Sequence, residues 1–212
     1  MSGETEEERL KRQKDYESER ERLREHLEIE IDEDQVVDIT PVSRRAPISD
    51  WGIHSVDICS IYLIDRSDGS TKSYRVLTEM FQSFDRDDVE QFYKLVKENY
   101  STKKPEMEAL VLLGDLKTMF EPDPEDDIWK NLHDQEFIEW RLFDSCGVHT
   151  VWLGDIRISM LVEKKYPLPK ELMKTMLLKR LRLERESEMA FELIRFIRSQ
   201  VKEDIPSEPK YL

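Results

Sequence analysis

The sequence predicts an α+β fold in which an antiparallel sheet, made of a hairpin and a meander, is packed by helices behind a charged N-terminal helix. Three observations carry this prediction. Residues 4–30 lack Gly and Pro and mix Glu with Arg at helical spacing. Residues that favour strands are concentrated at 51–65 and in a second region at 137–162. Strands and helices occur in runs, which is typical of α+β proteins and not of strictly alternating ones.

The chain divides into four parts on this pattern. We expect a charged helical extension at 1–35, a linker at 36–49, a compact α+β domain at 50–205 and a tail at 206–212. The extension holds fourteen acidic and seven basic residues, so its net charge of −7 is half of the chain's total of −14. A domain of about 150 residues can bury roughly 70% of its unfolded surface, which is enough for its own core.

The extension is interpreted as a solvated single helix, because its few apolar residues do not keep the a and d positions of a heptad. The alternative is the end of a longer coiled coil whose seam lies upstream. We expect this helix to add little stability, since helices in proteins are stabilised mainly by packing. Its apolar residues are Leu10, Tyr16, Leu23, Leu27, Ile29 and Ile31. In the linker, Val36, Val37 and Ile39 suggest a short edge strand.

The first half of the domain is predicted to be a hairpin followed by helices. One strand covers 51–65, the dipeptide Asp68-Gly69 supplies the turn, and the second strand covers 71–76. Helical segments are expected at 77–84, from a cap at Asp85 or Asp87 to Tyr100, at 105–120, and as one or two turns with an inward Trp129 at 126–132. The helix at 105–120 carries the apolar residues Met107, Leu110, Val111, Leu113, Leu116 and Phe120.

The second half is predicted to be a meander followed by two helices. Its strands are expected at 137–143, 148–153 and 156–162, and the last of them alternates with period two. The helices are expected at 169–182 and 186–202. One face of the last helix is apolar and consists of Met189, Ala190, Leu193, Ile194, Ile197 and Val201.

Composition limits the classes of function. A net charge of −14 argues against a general nucleic-acid binder, which needs clustered Lys and Arg. Two cysteines, Cys59 and Cys146, do not make a secreted disulfide framework. No signal peptide opens the chain, and no apolar run approaches the length of a membrane span. We therefore expect an intracellular protein, in the cytoplasm or the nucleus, without a membrane partner.

The search for a catalytic or metal site centres on Cys146 and His149, the one close pair of thiol and imidazole. The pair spans a tight turn, so its side chains need not converge, and no helix N-terminus is predicted there to lower the pKa of the thiol. The four histidines do not pair at a metal-binding spacing, and no C-x-x-C motif exists. We predict no catalytic residue, no cofactor and no metal site, and no enzymatic activity.

Three phrases carry a resemblance to a known family. They are GDLKTMFEPD at 114–123, WRLFDSCGVH at 140–149 and MLVEKKYPL at 160–168. Together they resemble a segment of copia-type retrotransposon polyproteins of plants, especially of the daisy family, where the segment accompanies Glu- and Arg-rich coiled-coil stretches. The chain lacks the motifs of the element's enzymes, because Cys146 interrupts the Asp-Ser/Thr-Gly of a protease and no Tyr-x-Asp-Asp is present.

The leading hypothesis is a non-catalytic structural or protein-interaction module of a retrotransposon-derived protein, with a protein partner or self-association. The first alternative is a nucleic-acid-associated accessory domain, which requires the basic residues of the last two helices to share one face. These residues are Lys174, Lys179, Arg180, Arg182, Arg185, Arg195 and Arg198. The second alternative is a cryptic Cys/His enzyme.

Overall fold

The computed structural model of the chain describes residues 5–30, 45–56, 59–130 and 132–203. The predicted edge strand at Val36, Val37 and Ile39, most of the predicted linker and the predicted tail lie outside these residues. The elements, in chain order, are α1 (Glu6–Arg24), β1 (Leu27–Ile29), β2 (Ile48–Val56), β3 (Cys59–Arg66), β4 (Thr71–Tyr74), α2 (Leu77–Ser83), α3 (Arg86–Thr102), α4 (Met107–Phe120), β5 (Phe137–Phe143), β6 (Val148–Leu153), β7 (Ile156–Leu161), α5 (Lys170–Lys179), β8 (Leu181–Leu183) and α6 (Glu188–Glu203). Two 3-10 turns, Asp127–Trp129 and Leu132–Asp134, precede β5.

The strands form two sheets, and the α+β class is confirmed. A five-stranded sheet has the order β1-β8-β5-β6-β7, and a three-stranded sheet has the order β2-β3-β4. In the larger sheet β8 lies parallel to both β1 and β5, whereas β5, β6 and β7 form the antiparallel meander. The predicted hairpin and the predicted meander therefore lie in different sheets. Each sheet is covered by its own helices.

The first hydrophobic cluster lies between the five-stranded sheet and helices α5 and α6. Period-two alternation directs Trp140 and Leu142 of β5, Val151 of β6 and Ile158 of β7 to this side of the sheet. The apolar face predicted for the last helix supplies its cover, with Ala190, Leu193, Ile194 and Ile197 buried and Met189 and Val201 partly buried. We call this side of the sheet its inner face.

The second hydrophobic cluster is built by the three-stranded sheet with α2, α3 and α4, and it is rich in aromatic rings. Phe84 meets Phe92 edge to face at 6.0 Å between ring centroids, and Trp51 meets Phe92 in the same way at 5.7 Å. The cluster also packs on one end of the outer face of the five-stranded sheet, through Phe143, Val148 and Leu161. The two sheets are thus joined by a shared apolar layer.

The segment predicted as a separate extension is integrated into the domain. Helix α1 ends at Arg24, and residues 27–29 form a strand that pairs in parallel with β8. Leu23 and Leu27 are buried in the first cluster. Without β1, the backbone groups at the edge of β8 would lack hydrogen-bond partners. A local helical pattern in the sequence does not reveal this pairing.

Two further predicted elements are wrong in detail. The single strand predicted at 51–65 is in fact two antiparallel strands, β2 and β3. The sequence did not reveal the turn, because no Gly or Pro lies between the two strands and residues that favour strands occur in both. The helix predicted at 169–182 ends at Lys179, where Arg180 adopts a positive φ of 72°. Leu181 and Leu183 then follow with the period of a strand and lie in the first cluster.

Local signals that act over a few residues are confirmed. Gly69 adopts a φ of 84° in the turn between β3 and β4, a conformation that glycine tolerates without strain. The Asp85 side chain caps α3 by accepting a hydrogen bond from the Asp88 backbone N–H, and the Asp88 side chain accepts one from the Asp85 backbone N–H. The strand predicted at 137–143 has the observed bounds of β5. Trp129 is buried, as predicted.

Candidate functional site

The structure commits Cys146 and His149 to different partners. The thiol of Cys146 donates to the carbonyl oxygens of Phe81 and Phe143, with Sγ–O distances of 3.4 and 3.6 Å. The indole N–H of Trp140 donates to His149 Nδ1 at 3.2 Å. Burial raises the pKa of the thiol to about 12 and lowers the pKa of the imidazole to about 3. Near neutral pH the sulfur is therefore protonated and the ring is neutral, and no thiolate-imidazolium pair arises.

The three segments at 114–123, 140–149 and 160–168 meet at the junction of the two clusters. The Tyr166 hydroxyl accepts from the Leu161 backbone N–H at 2.9 Å and donates to the Met119 carbonyl at 2.6 Å. The Val162 N–H donates to the Gly147 carbonyl at 3.1 Å, and Gly147 turns with a φ of 65°. Met119 belongs to the second cluster and Tyr166 to the first. These residues satisfy buried polar groups where the two clusters join, which is a structural role.

Some of the basic residues of the C-terminal part are paired with carboxylates. Arg182, which lies on β8 and not on a helix, pairs with Glu28, Glu30 and Glu139 at 3.4–3.7 Å. Arg195 pairs with Glu19 and Glu188, and Lys174 with Glu171. Two of these acids, Glu19 and Glu28, come from α1 and β1. The N-terminal segment therefore neutralises positive charge that a nucleic-acid-binding face would need. The prediction that the chain is not a general nucleic-acid binder stays a prediction.

Helix α4 is apolar on two sides, and the structure covers only one of them. Ala109, Leu112, Leu116 and Met119 are buried against the rest of the molecule. On the opposite side Met107, Leu110 and Val111 leave 74%, 53% and 58% of their surface exposed. We call these three residues the α4 face.

The backbone beside the α4 face is open as well. Gly114 follows one turn after Leu110, and no heavy atom lies within 4 Å of the position that a Cβ would occupy there. In the sequence, Met107, Leu110 and Val111 belong to the same apolar set as the buried Leu116. Apolar residues lie all around this helix, and one layer of neighbouring elements cannot cover every side of it. That distribution is the sequence signal for an exposed apolar side.

No protein-family model, curated protein or solved structure matches this chain. Within the part of the chain that the structure describes, no group of three or more His, Cys, Asp or Glu side chains is placed to hold a metal ion. None of the described helices combines the length and apolar character needed to cross a membrane.

Proposed function

We propose that the chain is a non-catalytic, self-associating structural module of a retrotransposon-derived protein, and that the α4 face contacts a second copy. The observation that carries this proposal is the exposure of Met107, Leu110 and Val111 side by side on one helix. Contiguous exposed apolar side chains usually mark an interaction surface, whereas single ones are common on any protein. The positions i, i+3 and i+4 place these three side chains on a single stripe.

Charge favours this face over the rest of the surface for contact between copies. The whole chain carries a net charge of −14, so two copies repel each other over most of their surfaces. Within α4 the charged residues are Glu108, Asp115 and Lys117, which give a net charge of only −1. Two copies that meet through α4 therefore place their apolar stripes together where their mutual repulsion is weak.

The size of the α4 face sets the expected strength of the contact. A stable interface buries about 800 Å² on each partner. Helix α4 has 14 residues and is about 21 Å long, so one stripe on it covers much less than that area. The contact is accordingly weak between free copies and becomes effective when copies are held close together, as in a larger assembly.

The non-catalytic part of the proposal is supported by the buried junction. The phrases that resemble the retrotransposon polyproteins supply Tyr166, Gly147 and Met119, whose hydrogen bonds join the two clusters. Cys146 lies in one of these phrases and is buried with its thiol bonded to backbone carbonyls. These residues serve the fold, which fits a module whose work is structural.

The test is sedimentation velocity on the full chain over a wide range of concentration. The wild-type chain should show a weight-average mass that rises with concentration. Leu110→Lys should abolish that rise, because it places a charge at the centre of the α4 face. Leu178→Lys is the matched control, since Leu178 is 79% exposed on α5, outside this stripe, and the charge change is the same.

Both variants should keep the thermal midpoint of the wild type, because exposed side chains contribute little to stability. A wild-type chain that stays monomeric throughout would contradict the proposal. Equal loss of association in both variants would show that net charge, and not the α4 face, controls it.

A further inference from the structure

Away from the end that packs on the second cluster, the outer face of the five-stranded sheet carries a row of charged side chains. Arg141 on β5 pairs with Glu139 at 2.8 Å and with Glu30 at 2.6 Å. Arg182 on the adjacent β8 is balanced by the same two acids and by Glu28. On this side of the sheet, toward β1 and β8, each guanidinium thus has a carboxylate partner.

Arg157 on the edge strand β7 breaks this pattern. Among the described residues it has no carboxylate partner within 4.0 Å. Its guanidinium instead lies 4.4 Å from the centre of the Trp152 ring, and Nη1 donates to the Thr78 hydroxyl at 3.4 Å. The ring and the hydroxyl hold the cation in place without cancelling its charge. Arg157 is also exposed to solvent, so its guanidinium is accessible to an anion.

A pocket of about 210 Å³ opens beside Arg157. Thr150 and Trp152 of β6 and Arg141 of β5 line it on the sheet, and Thr78 and Gln82 of α2 line its other wall. The pocket is smaller than typical drug-sized pockets, which start near 300 Å³, so it suits a small ligand.

The lining of the pocket is richer in donors than in acceptors. Arg141 uses Nε and Nη2 for its two carboxylates, and no acceptor among the described residues engages its Nη1. The Thr78 hydroxyl accepts from Arg157 and keeps its own proton to donate. Among the charged lining residues Arg141 is already paired with Glu139 and with the nearby Glu30, whereas Arg157 has no carboxylate partner among the described residues.

We propose that this pocket binds a small ligand that ends in a carboxylate, with the carboxylate on Arg157 and its apolar part against Trp152. A single negative charge matches the single uncompensated cation, and a guanidinium presents two parallel donors that fit a carboxylate. A phosphate dianion would exceed the available charge and lie close to Glu139.

The test follows the indole N–H resonance of Trp152 in the full chain by ¹H–¹⁵N NMR, with its assignment taken from Trp152→Phe. Sodium benzoate is titrated through the millimolar range at constant ionic strength, and inorganic phosphate is titrated separately. Benzoate should shift the resonance saturably. Arg157→Gln should weaken the affinity at least about tenfold, equivalent to about 1.4 kcal/mol. Arg9→Gln is the matched control, because it removes the same charge from an exposed position on α1.

The expected result is saturable binding that Arg157→Gln weakens and Arg9→Gln leaves unchanged. A linear, unsaturable response to benzoate would overturn the proposal. So would an equal loss in the two variants, which would indicate a general effect of charge. Saturation by phosphate at lower concentration than benzoate would overturn the assignment to a carboxylate.

Discussion

The two hydrophobic clusters are closed in opposite ways. The first, which α5 and α6 cover, also takes up α1, and this helix docks although most of its residues are charged. The second is closed by α4, a helix that is apolar on both sides, and yet half of it faces solvent. The average composition of a helix therefore does not decide whether it packs. What decides is whether a complementary surface lies within reach of it.

Helix α1 docks through one apolar anchor and a set of ion pairs. Leu23 is fully buried in the first cluster. Around it the carboxylate of Glu186 accepts from Arg20 and Arg24, each at 2.8 Å, and the Arg20 guanidinium lies 4.6 Å from the Phe191 ring. Burial of Leu23 contributes most of the free energy of docking, whereas these partly exposed ion pairs add less and set the orientation.

The largest expected effect comes from the anchor. Leu23→Ala should lower the free energy of unfolding by about 2–5 kcal/mol, because it leaves a cavity in the first cluster. Leu10→Ala, at an exposed position of the same helix, should change it by less than about 0.5 kcal/mol. Urea denaturation of the full chain measures both. Equal and small effects would restore the interpretation of residues 1–35 as an independent extension.

Acid should destabilise the first cluster through His149, whose ring lies on its side of the sheet. The pKa of His149 is lowered to about 3 by burial, from an ordinary value of 6.5. Between these values the unfolded chain takes up a proton that the folded chain refuses, so stability falls as pH falls from about 6.5 toward about 3. The slope is up to about 1.4 kcal/mol per pH unit. Cys146 in the second cluster, whose pKa is raised to about 12, is protonated in both states throughout this range.

His149→Asn checks this contribution, because its side-chain oxygen can still accept from Trp140 while the titrating group is removed. Unfolding free energies measured from pH 7 to pH 4 should fall less steeply in this variant. His133→Asn, at an exposed position, should keep the wild-type slope. An unchanged slope in His149→Asn would assign the acid sensitivity to other groups.

The smallest expected effect concerns the ion pairs of α1. Glu186→Gln removes the carboxylate shared by Arg20 and Arg24, so hydrogen exchange in α1 should become faster at low salt. High salt should shrink the difference from the wild type, because it screens accessible pairs. Glu192→Gln, elsewhere on the exposed side of α6, is the matched control. A large loss of global stability in Glu186→Gln would mean that the ion pairs, and not Leu23, hold the helix.

Sequence patterns anticipated the features that depend on neighbours in the chain. The Asp68-Gly69 turn, the Asp85 cap, the bounds of β5 and the apolar side of α6 each follow from a few residues. The patterns failed where the deciding partner is distant. Leu27 pairs with Leu181 across most of the chain, and both segments carry enough helical character locally to be assigned to helices.

The candidate sites divide in the same way. The sequence located Cys146 and His149, and the geometry then gave each a separate buried partner. It did not locate Arg157 and Trp152, although their outward positions on β7 and β6 follow from the alternation of those strands. The apolar side of that alternation predicts the core, and the pocket lies on the opposite, polar side of the same strands.

By itself the sequence determined the α+β class, the order of most elements and the turns and caps that start and stop them, because these depend on interactions within a few residues. Only the tertiary structure decided that α1 and β1 belong to the domain, that the strands form two sheets, and that one side of α4 and the pocket at Arg157 stay open to solvent. The reason is physical. Every apolar face competes for a limited set of surfaces to pack against, and the outcome of that competition depends on where the whole chain places its elements.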